Sequence, residues 1–249
     1  MSLDLDNLLR DWPHEPGQIK VRKILGDDGR EKLQLRIDLG LIQMNYDGRP
    51  DGTRPYNSDS LLEYFRERAA EKQLAGEDYF LDVDQLGELQ QEGIQFYHRY
   101  VSLFQLEDYR GVIRDTQRNL DMMTFVAEHV EREDLSWPLQ QFRPYVIMMN
   151  TRAWASIDLE QDNFGAAVKR IERGREEIRE FLASSPSPEL VESSQEIAFL
   201  DEWLEEVRDR KPLTKLEKLE KEMESAIATE AYERAAQLRD AIREYRETN

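Results

Sequence analysis

Cysteine is absent from the 249 residues. That excludes a disulfide framework, a thiol nucleophile and any cysteine-ligated zinc or iron–sulfur centre. Histidine is scarce: His14, His98 and His129 stand far apart, and no Glu-x-x-His pairing of the di-iron bundle type accompanies them. No metal site is expected. The chain also has no run of the ~18 uninterrupted apolar residues that a membrane span requires, and "MSLDLDNLLRDWPHEPG" carries no basic stretch followed by an apolar one. The expectation is a soluble, cytoplasmic protein with no export signal and no membrane anchor. A Gly-rich phosphate loop, a helicase pattern and a nuclease constellation are missing too. We therefore expect no catalytic residues, no cofactor and no enzymatic activity; a site assembled from acidic and aromatic groups has no feature that singles it out.

Positive charge is in deficit, with 34 Lys and Arg against 52 Asp and Glu and a formal net charge of −18. Affinity for a nucleic-acid backbone comes largely from Lys and Arg releasing condensed counterions. Direct nucleic-acid binding is therefore disfavoured. The best basic stripe, Lys169 and Arg170 with Arg173 and Arg175, is interrupted by Glu172 and followed by Glu176 and Glu177, so it reads as a salt-bridged helix face.

What is present is mostly helical periodicity. Hydrophobic residues make up 39% of the chain and charged ones 35%, a balance that favours amphipathic helices with solvated outer faces. The exception lies near the start. After a short amphipathic helix over 3–10, ended by Trp12-Pro13, the runs on either side of Gly26-Asp27-Asp28-Gly29 read as a β-hairpin. Leu33, Leu35, Ile37 and Leu39 alternate at the strand period, and "LIQMNY" offers a third strand. "DGRPDGTRPYN" (47–57) is dense in glycine, proline and aspartate and should be an exposed loop. Its Asp47, Arg49, Asp51 and Arg54 make it a secondary candidate for recognition, although an ordinary surface connection explains them as well.

From Ser58 the spacing predicts a helix through "SLLEYFRERAAEKQL", capped by Ser58 or Asp59, and further helices over about 82–106, 108–131, 138–160, 162–183, 188–209, 212–228 and 230–247. "YVSLFQLEDYRGVIRDTQRNL" (100–120) and "WASIDLEQDNFGAAVKRIERGR" (154–175) each run from an apolar helix end through an acidic turn to an aromatic, Tyr109 or Phe164, and then to small and aliphatic residues. The two stretches look like degenerate tetratricopeptide repeats, in which that aromatic wedges between antiparallel helices. A generic helical bundle fits the same pattern. The aromatics Phe96, Tyr97, Tyr100, Phe104, Tyr109 and Trp154 suit either the core or a peptide groove.

A break at Lys211-Pro212 separates a last segment of different charge, with 8 Lys and Arg against 9 Asp and Glu over 211–249. The division is thus an N-terminal segment with β-hairpin and loop (1–57), a helical scaffold (58–210) and a helical hairpin (211–249). Leu216, Leu219, Met223 and Ala226 or Ile227 make one apolar stripe, and Tyr232, Ala235, Ala236, Leu238, Ile242 and Tyr245 a second, across a turn at Ala228-Thr229-Glu230-Ala231. Isolated helices of ~12–15 residues are marginal in water, so both stripes need a second surface. Either a partner or this chain's own scaffold can supply it.

The order Leu219-Glu220, Met223, Ala226, then "YERAAQLRDAI" (232–242) closely resembles the UVR motif of the excision-repair subunits UvrB and UvrC, with similar motifs in bacterial Clp ATPases and activators of protein-arginine kinases. Tyr232 stands where that family usually has phenylalanine, and Ala231 where a polar residue is common. The resemblance implies an antiparallel helical hairpin that pairs with another hairpin to make a small four-helix bundle. It implies an adaptor that docks a partner carrying a UVR-type hairpin, or a second copy, through Leu216, Leu219, Met223, Tyr232, Ala235, Leu238 and Ile242, with Arg239 and Asp240 giving orientation. On solvated faces those two would merely pair with neighbours. The alternative it implies is an accessory role in nucleotide-excision DNA repair through a UvrB/UvrC-like contact.

Overall fold

The computed structural model describes residues 5–210 and 215–248. The chain is mainly α-helical, with a three-stranded antiparallel sheet near its start and a helical hairpin at its end. It divides into two compact units, Met1–Leu204 and Glu205–Asn249.

In the first unit the short helix α1 (Asp6–Leu9) precedes strands β1 (Lys20–Leu25), β2 (Glu31–Ile37) and β3 (Gly40–Asn45) in the order β1-β2-β3. Period-two alternation gives each face of β2 a different task. Leu33 and Leu35 are buried on one face, where Leu33 lies opposite Met44. On the other, Gln34 receives the Arg22 Nε–H at 2.7 Å and donates to Gln43 at 2.8 Å, which satisfies its amide across all three strands. Arg22 stacks on the Trp12 ring and Arg36 donates to the Trp12 carbonyl, so the segment before β1 covers this face. The alternation does not extend as far as expected. Leu39 is 91% exposed, because it occupies the turn between β2 and β3 where no second layer faces it.

Helix α2 (Leu61–Leu74) is capped by Ser60, whose side chain accepts the Glu63 N–H, in place of the expected Ser58 or Asp59. Helix α3 (Val83–Gln105) opens with a capping box between Asp82 and Gln85 and packs against both the sheet and α4 (Tyr109–Glu128). The long helix expected from 138 is split into α5 (Trp137–Gln140) and α6 (Arg143–Glu160), with Pro144 in the first turn of the second piece. The segment expected at 188–209 likewise becomes α8 (Leu190–Ser193) and α9 (Gln195–Arg210), parted at the extended Ser194, while α7 (Phe164–Ala183) packs on α6.

The core runs through Leu89, Phe96 and Leu103 of α3, Val112, Met122 and Val126 of α4, Val146 and Ala153 of α6, and Ile171 and Ile178 of α7. Close approach of α6 and α7 depends on Gly174, where an added Cβ would lie 2.0 Å from Thr151 Oγ1. The second unit contains α10 (Lys215–Ala228) and α11 (Tyr232–Thr248), which pack on each other. The expected helix start at Pro212 lies outside the described residues.

Candidate functional site

The turn between α10 and α11 has two counterparts in the first unit. Glu107, Asp162 and Glu230 each adopt a left-handed conformation, with φ of 59°, 56° and 58°. In all three turns the next residue donates its N–H five residues back: Asp108 to Leu103 (2.9 Å), Asn163 to Asp158 (2.8 Å) and Ala231 to Ala226 (2.8 Å). The left-handed residue itself donates three residues back, to Phe104, Leu159 and Ile227. This is the Schellman closure, which satisfies carbonyls at the end of the first helix. An aromatic then starts the second helix each time, Tyr109, Phe164 or Tyr232.

The three turns differ in two respects. The side chains of Asp108 and Asn163 cap the following helix, accepting the N–H of Gly111 and Ala166, whereas Ala231 has no side-chain oxygen with which to do so. In the first turn Phe104 and Tyr109 meet edge to face at 5.5 Å, and the Arg152 guanidinium of α6 lies over the Phe104 ring at 4.3 Å. At the corresponding places in the last turn, Ile227 is 51% and Tyr232 67% exposed. The tip of the α10/α11 hairpin thus presents an aliphatic and an aromatic side chain whose counterparts in the α3/α4 hairpin, Phe104 and Tyr109, are half-buried.

Behind this tip lies an apolar seam. Ala226, Leu238 and Ile242 are buried, while Leu216, Leu219, Met223 and Ala235 are half-buried. Ion pairs join the two helices, Arg234 to Glu222 at 3.4 Å and Arg246 to Glu220 at 2.7 Å. The residues singled out from the sequence therefore separate into a seam and an exposed tip occupied by Tyr232. Arg239 and Asp240 are exposed and pair with each other at 3.1 Å, and Arg243 approaches Asp240 at 3.6 Å.

The 47–57 loop is more firmly held than its composition implies. Arg49 approaches the fully buried Glu92 of α3 at 3.1 Å, with its own side chain only 11% exposed. Glu92 also accepts the Leu61 N–H at 2.8 Å and pairs with Arg118 of α4. Burial, and then the neighbouring Arg49 and Arg66, push the Arg118 pKa down. Beside this cluster Arg99 grips Asp115 with two hydrogen bonds, at 2.6 and 2.8 Å, and donates to the carbonyls of Asn45 and Gly48. Asp47 pairs with Arg114 at 3.1 Å and Arg54 with Asp59 at 2.7 Å. Arg49 is thus committed to the scaffold and unavailable as a free recognition group. Sequence reading missed Glu92, Arg99, Asp115 and Arg118, because in helices this rich in charge nothing distinguishes a buried ion from a solvated one.

Among the described residues, no group of three or more His, Asp or Glu could hold a metal ion, and no helix is long and apolar enough to cross a membrane. The hairpin combines an apolar seam, ion pairs across it and an exposed apolar tip. Residues 214–248 match the family model described as the UvrB/uvrC motif. The UVR match covers α10, its turn and α11, and it points to protein interaction or to a contact related to DNA repair. Comparison with curated proteins and with solved structures gives no match.

Proposed function

We propose that this chain is a non-enzymatic adaptor that docks another protein through its UVR hairpin. The partner is a second protein carrying such a hairpin, or a second copy of the chain. The observation that carries this reading is the uncovered pair Ile227 and Tyr232 at the tip of the matched hairpin. Two short helices meeting on one seam still leave Leu216, Leu219, Met223 and Ala235 half-buried, and pairing with another hairpin would remove that apolar surface from water at about 25 cal/mol per Å². The first unit acts in this reading as a tetratricopeptide-like scaffold, a view supported by the shared turn of its two hairpins α3/α4 and α6/α7. Replacing Ile227 and Tyr232 together by serine should abolish association, read by light-scattering mass or by co-purification of the partner, while leaving helicity unchanged. An undiminished complex would refute the proposal.

The second reading, an accessory factor of excision repair, is favoured by the description of the matched motif. With a net charge of −18 such a role would run through protein contact. Capture of UvrB or UvrC by the intact chain, lost in the same double variant, would select it.

A further inference from the structure

A cavity of about 360 Å³ opens in the first unit between α3, α4 and the segment that leads from α5 into α6. Its walls are mainly aromatic and thioether: Tyr97, Tyr100, Met122, Met123, Phe142 and Tyr145 all line it. Ile94, Tyr97 and Phe142 are 40%, 39% and 53% exposed and form an apolar rim. No Asp, Glu, Lys or Arg lines it. Its size falls at the small end of the range for ligand pockets, ~300–1,000 Å³.

Two of the polar groups that line it, Asn119 and Tyr100, are in contrasting states. Asn119 is satisfied, donating to the Gly93 carbonyl at 3.0 Å and accepting from Arg118 at 3.1 Å. Tyr100 is only 1% exposed, and among the described residues its hydroxyl makes no hydrogen bond, the oxygen itself not being fully enclosed. A hydroxyl that meets no protein partner is available to a hydrogen-bonding group of an occupant. Tyr97 stands edge-on to the Tyr100 ring, with centroids 5.6 Å apart and planes at 89°. The Tyr145 ring lies 6.1 Å from Tyr97. Rings at such angles offer a further ring both faces and edges, the arrangements that aromatic pairs prefer. His98 also lines the cavity, and burial lowers its pKa, so the imidazole adds no charge at neutral pH.

We infer that this cavity is a binding site for a small, neutral aromatic molecule of one or two rings bearing a single hydrogen-bonding group, which the Tyr100 hydroxyl engages. The absence of ionised side chains selects against charged ligands, because a buried unpaired charge is costly. The aromatic and methionine walls select for a flat, polarisable ring. This site lies within the first unit and is independent of the docking assigned to the hairpin.

The test uses the full chain with ¹³C-labelled methionine methyls, titrated with p-cresol and, separately, with toluene. The expected result is saturable movement of the Met122 and Met123 methyl signals, with p-cresol binding more tightly than toluene by about 2–10-fold, the worth of one neutral hydrogen bond. Tyr100→Phe should abolish that preference while leaving toluene affinity unchanged. Absence of saturable movement with either compound would overturn the inference. So would equal binding of the two by the unaltered chain, a comparison that holds whether or not the variant folds.

Discussion

Tyr109 and Tyr232 hold the same position in the same kind of turn, each the first residue of a second helix and each two residues after a left-handed residue, Glu107 or Glu230. Tyr109 is half-buried against Phe104, whereas Tyr232 is 67% exposed. One chain thus contains a covered version of this motif and an uncovered one. In the proposed docking, the uncovered position is where a second surface is supplied.

Seam and tip should respond differently to mutation. Leu238→Ala removes a buried side chain and should destabilise the hairpin by about 2–5 kcal/mol, the usual cost of a large-to-small core change. Tyr232→Ser removes an exposed ring, so its effect on hairpin helicity should stay within about 0.5 kcal/mol. Helicity followed by circular dichroism through thermal unfolding separates the two, and equal losses would place Tyr232 in the seam.

The missing cap can be supplied. Ala231→Asp puts a carboxylate where Asp108 and Asn163 already accept backbone N–H groups, and should stabilise α11 by about 0.5–2 kcal/mol. Thermal unfolding of the second unit would report the gain. No gain would mean that the start of α11 departs from its two counterparts.

Glu92 should be the most sensitive ionised residue of the first unit. Glu92→Ala leaves Arg49 and Arg118 without their shared counterion and the Leu61 N–H without its acceptor. Breaking a buried pair on one side costs about 3–5 kcal/mol. Urea unfolding should show this loss, together with easier proteolysis of the 47–57 loop that Arg49 anchors; a loss under about 1 kcal/mol would contradict the network.

Much of this architecture was legible in the sequence, and the exceptions share a cause. Helical periods located α3, α4, α6, α7, α10 and α11, and the acidic turns before Tyr109 and Phe164 marked both scaffold hairpins. Local signals failed where tertiary contact decides. Leu39 continues the alternation of Leu33 and Leu35 but meets no opposing layer, and Arg49 looks like a loop charge until Glu92 is brought to it from another element. In the hairpin each of the two stripes grouped seam and tip residues together, since periodicity records which residues are apolar and not which of them the other helix covers.

His98 should titrate low. Burial depresses its pKa below the ordinary histidine value of 6.5, so on acidification the unfolded chain takes up this proton before the folded one does. The contribution of His98 to stability is complete above about pH 6.5 and declines as pH falls from there towards the folded pKa. An NMR titration of the imidazole should give a midpoint below 6.5, and His98→Gln should remove this part of the acid sensitivity. A midpoint at or above 6.5 would contradict the burial.

The central claim, that the UVR hairpin docks another hairpin, is tested most directly by placing a photo-cross-linking phenylalanine at position 232 of the full chain, irradiating in the cell that makes it, and sequencing the adduct. The account predicts an intermolecular product joined to a helical hairpin of the UVR type, in a partner or in a second copy. Adducts confined to residues 5–204 of the same chain would contradict it and make the hairpin part of this protein's own core.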